Sequence, residues 1–174
     1  MFREFYGTLK DLQEYYKSRG LADTESIELQ DCERRHVESN PEHLIGWIDQ
    51  GKIVGHAIWH ETSTDEMTSG DPRDEDDRRL LRRLYGGKRE NLVELHELWL
   101  RTELRGKGHG RRFFSFFEDF VLSRGYDGIV YYTEDPAAIS LCRKRGYREG
   151  YLERQRWYVF VFARRPSGTT RRTN

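Results

Sequence analysis

A basic, glycine-rich turn between two partly apolar segments most constrains the fold of this chain. Residues 95–100 are mostly apolar and predict a strand, whereas residues 112–122 carry apolar side chains at helical spacing. The intervening residues 101–111 contain three glycines and four Lys or Arg residues. A strand, a glycine-rich turn and a helix form a phosphate cradle, because glycine lets the backbone approach the anion and the helix N-terminus offers N–H groups. The segment therefore predicts a phosphate-binding turn.

The spacing of the glycines separates this cradle from two common types. A P-loop needs four residues between its first glycine and a Gly-Lys-Ser/Thr sequence, which this segment lacks. A dinucleotide-binding fingerprint needs a third glycine, and Phe113 stands at that position. The spacing Arg105-x-x-Gly108-x-Gly110 instead resembles the acetyl-CoA pyrophosphate loop of the GNAT superfamily of N-acetyltransferases, whose pattern is Gln/Arg-x-x-Gly-x-Gly/Ala.

A second signature follows at the order and separation typical of that superfamily. Residues 128–133 predict a buried strand, and Asp135-Pro136 predicts the start of a helix that ends at Gly146. Residues 138–147 resemble the pattern Ala-Ile-x-Leu-Tyr-x-Lys-x-Gly-Phe. The strand–helix–strand order predicts a parallel pair with a right-handed crossover. The resemblance implies an α/β fold with a mixed, mostly antiparallel sheet of six or seven strands, a splayed parallel pair, and helices on both faces.

The rest of the chain predicts one domain at residues 1–165, followed by a flexible tail at residues 166–174. Further helices are predicted from Thr8 to Gly20 and at residues 31–38, a β-hairpin at residues 43–48 and 52–59, and a last strand at residues 156–163.

Residues 61–90 look like a charged insertion between two strands. The first part, residues 61–77, is rich in Asp and Glu with only Arg73 opposing them, and residues 78–85 predict a short helix. One interpretation is an acidic rim that attracts a cationic acceptor, with a helix that covers the site. The other is a solvated loop with a small packed helix, which we favour because charge runs are usually solvated.

Charge and composition favour a cytoplasmic protein. The chain has 30 Lys and Arg residues and 30 Asp and Glu residues, so its formal net charge is zero. A general nucleic-acid or membrane binder usually has a clear excess of basic residues. No apolar run approaches the ~20 residues of a membrane span, and the first residues do not predict a signal peptide. Cys32 and Cys142 form neither a disulfide framework nor a zinc spacing.

The resemblance implies acetyl-CoA as co-substrate and an amine, in a small molecule or a protein, as acceptor. It implies that the backbone of Leu98 and Leu100 binds the pantetheine arm, and that Asp135 stands where the family often has an asparagine that contacts the cofactor. The pyrophosphate loop then comprises Arg105, Gly106, Lys107, Gly108, His109, Gly110 and Arg111.

Glu94 and His96 are the candidate catalytic residues. Strand alternation places them on one face with Leu98, and Glu97 on the other. By resemblance, Glu94 matches the catalytic glutamate of histone acetyltransferases, and Glu94 with His96 match two histidines of serotonin N-acetyltransferase. An alkylammonium has a pKa near ~10, so a carboxylate or imidazole could accept its proton, directly or through water. The alternative is that both residues only line a wet cleft and water is the base.

The general acid is where the sequence departs from the family pattern. Cys142 replaces the usual tyrosine, and a cysteine there favours a small buried hydrophobe that is dispensable for turnover. Two alternatives stay open: Tyr131, Tyr132 or Tyr147 donates a proton to the leaving thiolate, or the thiolate leaves without assistance.

No metal is expected from the sequence. His56 and His60 share a face of the second hairpin strand, but no further ligands are visible in a zinc-like arrangement, so they are predicted to be cleft or surface histidines.

Three functions stay open at this point. The favoured one is direct acetyl transfer in a ternary complex of enzyme, acetyl-CoA and amine. The second is a catalytically silent acyl-CoA sensor or structural module. The third is a nucleic-acid-contacting module, which the neutral net charge disfavours. It would use Arg101, Arg105, Lys107, Arg111, Arg143, Lys144 and Arg145. Formation of a homodimer is also left open.

Overall fold

The computed structural model of the chain describes residues 3–5, 14, 31–49, 52–67 and 72–163. The predicted helix from Thr8 to Gly20 lies outside these ranges except for Glu14, and so do the hairpin turn at residues 50–51 and the predicted tail. The division into one domain and a tail therefore stays a prediction.

The described residues form seven strands, four α-helices and two short 3-10 helices. The strands are β1 (Arg3–Phe5), β2 (Leu44–Asp49), β3 (Lys52–Thr62), β4 (Leu92–Leu100), β5 (Gly128–Thr133), β6 (Arg148–Leu152) and β7 (Trp157–Ala163). The α-helices are α1 (Asp31–Ser39), α2 (Glu75–Tyr85), α3 (His109–Ser123) and α4 (Pro136–Lys144), and the 3-10 helices are Pro41–His43 and Thr102–Leu104.

The chain divides into two compact units, and the first comprises Met1–His60 and Glu94–Phe117. Its strand order is β1-β2-β3-β4, with β1 antiparallel to β2 and β2 antiparallel to β3. The hairpin pairs Leu44 with Ile58, and a bulge falls after Trp47. Trp47 stacks on Phe113 of α3 with ring centroids 5.0 Å apart, and both side chains are fully buried. Helix α3 is thereby fixed against the hairpin.

The second unit comprises Glu61–Val93 and Glu118–Asn174. Its strand order is β5-β7-β6, and both pairs are antiparallel. The apolar face of α2 packs on these strands. The resulting core contains Leu80, Leu81, Leu84, Tyr85, Leu92, Val130, Leu152, Val159 and Val161.

The predicted fold class is confirmed: helices accompany a mixed, mostly antiparallel sheet with one parallel pair of strands. The strands β1 and β6 were not predicted. Strand β1 has only three residues, and β6 has the mixed sequence Arg-Glu-Gly-Tyr-Leu with little apolar alternation. Helix α3 begins at His109, three residues before the predicted start, so the glycine-rich turn runs directly into its first turn.

The described residues of the charged insertion, 61–67 and 72–90, are more ordered than the sequence indicates. Helix α2 begins at Glu75 because the Asp74 side chain accepts a hydrogen bond from the Asp77 N–H as its N-cap. The Arg73 side chain is buried and forms an ion pair with Asp77 at 3.2 Å. The favoured interpretation is correct for the packed helix and wrong for Asp77, which is buried rather than solvated.

Candidate active site

Glu94 and His96 lie side by side on β4, as strand alternation predicts. The Nδ1 atom of His96 lies 4.0 Å from Oε1 of Glu94. The Glu94 side chain is 14% exposed and that of His96 is 34% exposed. The mostly buried Glu94 carboxylate can stabilise the protonated form of the partly exposed His96 imidazole beside it.

A second histidine on the neighbouring strand joins this pair. Nδ1 of His60, on β3, lies 2.5 Å from Nε2 of His96, and the rings stack with centroids 4.5 Å apart. One of the two rings must carry the shared proton, because a hydrogen bond needs one donor and one acceptor. The Nε2 atom of His96 is thus engaged by His60, while its Nδ1 atom faces Glu94.

Two further histidines lie behind this group. The ring of His36, at the end of α1, lies 5.8 Å from His96 and 5.9 Å from His60, centroid to centroid. Its Nε2 atom is 3.0 Å from Nδ1 of His43 and 3.3 Å from the carbonyl oxygen of Trp59. We call His36, His43, His60, Glu94 and His96 the histidine cluster. Sequence reasoning missed His36 and His43 entirely, since nothing local links α1 to β4.

His56, the other histidine of strand β3, is buried away from the histidine cluster. His56 is 1% exposed and stacks on Trp99 with centroids 5.3 Å apart, and its Nε2 atom lies 3.0 Å from Oε2 of Glu97. The expectation of a cleft or surface histidine is therefore wrong for His56. Glu97, predicted to face away from Glu94, is the partner that compensates the burial of this imidazole.

The glycine-rich turn is open and basic. Gly106 and Gly108 adopt left-handed φ angles of +73° and +85°, and a Cβ atom added at either would meet nothing within 4 Å. These glycines are therefore required for backbone conformation rather than for space. The Arg105 side chain bends back, and its Nε donates to the Leu100 carbonyl at 2.9 Å.

The N-terminus of α3 completes the turn. Its first intrahelical hydrogen bond runs from the Arg112 N–H to the Gly108 carbonyl, so the preceding N–H groups lie at the open end of the helix. The first turn contains no acidic residue. The Nδ1 atom of His109 is buried and has no hydrogen-bond partner among the described residues. Backbone donors and basic side chains fit an anionic ligand here.

The strand that leads into the turn approaches its neighbour closely at one position. A Cβ atom on Gly55 would lie 2.2 Å from the Trp99 carbonyl oxygen and 2.8 Å from Cδ2 of Leu100. Only glycine fits there. The backbone of Leu98 and Leu100, predicted to bind the pantetheine arm, is thus positioned by a glycine contact on β3. Their role in binding stays a prediction.

The second unit contains the two departures from the family pattern. Asp135 caps α4 as predicted, accepting a hydrogen bond from the Ala137 N–H at 2.9 Å, and its side chain is exposed. Cys142 is fully buried, and burial, together with the nearby Glu118 carboxylate, raises the pKa of its thiol to about 12. A thiol of that pKa is a weaker acid than CoA itself, so the structure argues against Cys142 as proton donor.

Two of the three candidate tyrosines are committed elsewhere. The Tyr147 hydroxyl donates to Glu118 at 2.8 Å, and burial together with that carboxylate raises its pKa well above the usual value. The Tyr132 hydroxyl donates to Asp77 at 2.8 Å. Tyr131, which is 7% exposed on β5, stays an untested candidate.

Two basic residues predicted for nucleic-acid contact form ion pairs instead. Arg143 donates to Glu149 at 2.6 and 2.7 Å, and Arg145 donates to Glu118 at 2.8 Å. These pairs neutralise much of the basic character of α4. In the described ranges, no helix has the length and apolar character needed to cross a bilayer.

The geometry defines an α/β fold with a basic, glycine-rich turn after a strand that carries a glutamate and a histidine. In sequence, residues 6–147 match the acetyltransferase (GNAT) family. The chain belongs to this family. No curated protein matches it in sequence.

Solved structures with the same fold are distant in sequence. A polyamine N-acetyltransferase of Drosophila melanogaster, an enzyme that forms N-acetylagmatine, is 12% identical with a TM-score of 0.59, covering 94% of this chain and 100% of that one. The ribosomal-protein-S18-alanine N-acetyltransferase of Escherichia coli is 14% identical with a TM-score of 0.55, covering 98% of each chain. A NatC complex bound to Gag peptide and CoA is 14% identical with a TM-score of 0.55, covering 94% of this chain and 99% of that one. These likenesses establish the fold alone.

Proposed function

We propose that this protein transfers an acetyl group from acetyl-CoA to an amine by direct attack within a ternary complex. The observation that carries the proposal is the continuity of the first unit's β4, which holds Glu94 and His96 and leads directly into the basic turn at Arg105 to Gly110. A cradle for the cofactor's pyrophosphate and a proton acceptor for the amine thus lie on one segment of chain.

The cofactor is held by the turn in this proposal. The first N–H groups of α3 and the left-handed glycines accommodate the pyrophosphate, and the basic side chains Arg105, Lys107 and Arg111 add positive charge. Backbone groups of Leu98 and Leu100 bind the pantetheine arm, and the Asp135 carboxylate accepts a hydrogen bond from the cofactor but repels its phosphates. The NatC structure, described as bound to CoA, supports an acyl-CoA co-substrate for this fold.

The acceptor amine must lose a proton before it can attack. The proton passes to the Glu94 carboxylate or to Nδ1 of His96, because Nε2 of His96 already faces His60. The amine lone pair then attacks the thioester carbonyl, the nitrogen loses its second proton to solvent, and the C–S bond breaks as its electron pair leaves with the CoA thiolate. Since the pKa of Cys142 is raised and Tyr132 and Tyr147 donate to carboxylates, the thiolate leaves without their assistance and takes its proton from solvent, with Tyr131 as the remaining candidate donor.

An acetyl-CoA assay across an amine library tests this function. Release of free CoA thiol is measured with polyamines, arylalkylamines, amino acids and peptide N-termini as acceptors, and acetylated product is identified by mass spectrometry. The expected result is acceptor-dependent thiol release with at least one amine class. Tight acetyl-CoA binding with no turnover on any class would instead support the catalytically silent sensor.

A further inference from the structure

We infer that His60, Glu94 and His96 form a binding site for a divalent cation of the zinc type. One ligand atom from each of these three residues lies within 4.8 Å of the other two. Two imidazole nitrogens with one carboxylate oxygen form a donor set suited to borderline first-row cations, of which Zn²⁺ is the commonest in proteins. The sequence did not predict this site, because the third ligand comes from another strand.

The three ligands are presented by rigid elements. Glu94 and His96 are two residues apart on β4, and His60 lies on the neighbouring strand β3. Zinc binds nitrogen and carboxylate oxygen at about 2.0–2.2 Å, so ligand atoms around one ion lie roughly 3–4 Å apart. The pair His60 Nδ1 and His96 Nε2, at 2.5 Å, must open by about 1 Å, which small side-chain rotations supply.

The surroundings of the three ligands resemble an open rather than a closed metal site. The Glu94 side chain is 14% exposed and His96 is 34% exposed, so one side of the site faces solvent. Three protein ligands with an open position leave room for water or an exchangeable ligand. Behind the ligands, the ring of His36 packs against those of His60 and His96, and its Nε2 atom lies 3.0 Å from Nδ1 of His43 and 3.3 Å from the Trp59 carbonyl oxygen, which limits how far the two ligand rings can move.

Metal binding has a consequence that rests on the proposed function. A cation at this site is ligated by the Glu94 carboxylate and by Nε2 of His96, and a neutral imidazole that ligates through Nε2 carries its proton on Nδ1, so neither Glu94 nor His96 can accept the amine proton. Bound Zn²⁺ therefore inhibits acetyl transfer, and removal of the metal restores it. The binding itself does not depend on whether either residue is the catalytic base.

The binding test uses the full chain after removal of metals with a chelator. Calorimetric titration with Zn²⁺ is expected to give one saturable site, and Co²⁺ is expected to give a visible absorption spectrum of nitrogen and oxygen ligation. His60→Gln should weaken Zn²⁺ affinity at least ~100-fold, since even loss of a residue behind the ligands costs 10–100-fold. Glu94→Gln, a second ligand variant, should weaken it similarly.

His56→Gln is the matched control, because it also removes one histidine but His56 faces Glu97 outside the cluster. It should keep the Zn²⁺ affinity within about threefold, and Cys142→Ala serves as the control if His56→Gln does not fold. Unsaturable binding, unchanged affinity in both ligand variants, or a thiolate-to-cobalt absorption band would overturn the site.

Inhibition is measured separately, with each variant compared with its own rate in chelator. Zn²⁺ should inhibit the unmodified chain reversibly and leave His60→Gln insensitive at the same concentration. If Zn²⁺ binds as described and acetyl transfer continues at its full rate, the metal site stands and the assignment of Glu94 and His96 as proton acceptors fails. If no amine is acetylated at all, the binding result still decides the site.

Discussion

The cradle assignment can be tested at Gly108 by comparing Gly108→Asp with Gly108→Asn. Both side chains must adopt the left-handed φ of +85°, which Asn and Asp tolerate better than most residues, at a similar cost of about 1 kcal/mol. Neither meets a steric obstacle, because an added Cβ atom has nothing within 4 Å. The two variants are almost identical in shape, so their difference isolates one negative charge.

The magnitude follows from the exposure of the turn. For a bound pyrophosphate with roughly two negative charges, we take a separation on the order of 6 Å from a carboxylate at position 108. Coulomb's law gives about 0.7 kcal/mol per charge pair in bulk water and about 2.8 kcal/mol near a protein surface. Two such pairs total about 1.4 kcal/mol in water and about 5.6 kcal/mol near a protein surface. Because Gly108 is exposed, we expect a value in the lower half of this range, about 1.4–3 kcal/mol, or roughly 10- to 150-fold in Kd.

Calorimetry with acetyl-CoA measures this difference directly. Gly108→Asn should bind acetyl-CoA with moderately reduced affinity, and Gly108→Asp should bind much more weakly or undetectably. Raising the ionic strength should narrow the gap, because exposed charges are screened. Thermal melts of the two variants should coincide. Equal affinities of the Asp and Asn variants would refute the reasoning and move the pyrophosphate away from this turn.

Three further predictions concern the reacting groups and the insertion. Glu94→Gln and His96→Gln should each lower kcat/KM by roughly 100-fold or more with acetyl-CoA affinity unchanged, and the double variant should be little worse; near-normal rates in all three would place the base elsewhere. Cys142→Ala should keep kcat within about threefold, because the raised pKa makes the thiol a poor proton donor, and it should lower the free energy of unfolding by about 1 kcal/mol, because a buried side chain is shortened. A loss of kcat beyond about 100-fold in a folded variant would restore Cys142 as general acid. Arg73→Met should lower the free energy of unfolding by about 3–5 kcal/mol in a urea titration, because Asp77 would stay buried without its ion-pair partner. Adding Asp77→Asn should recover part of the loss, and full stability of Arg73→Met would contradict a stabilising role for the Arg73–Asp77 ion pair.

The local features of this protein could be predicted from sequence. Strand alternation predicted that Glu94 and His96 share one face of β4. The spacing of the glycines predicted the turn, and the apolar periodicity that follows it predicted helix α3. The proline and aspartate at the start of α4 determined its first residue. In each case the information lies within a few residues, since backbone geometry repeats every two residues in a strand and every 3.6 in a helix.

Contacts between distant segments were decided only by the tertiary structure. Burial of His56 against Trp99 depends on strand register, and the same strand brings His60 to His96 four residues later. A single sequence carries no periodic signal for which strand pairs with which, or for where a helix end such as His36 will pack. The histidine cluster therefore exists only because three segments remote in sequence meet on one face, and its chemistry could not be predicted from any of them alone.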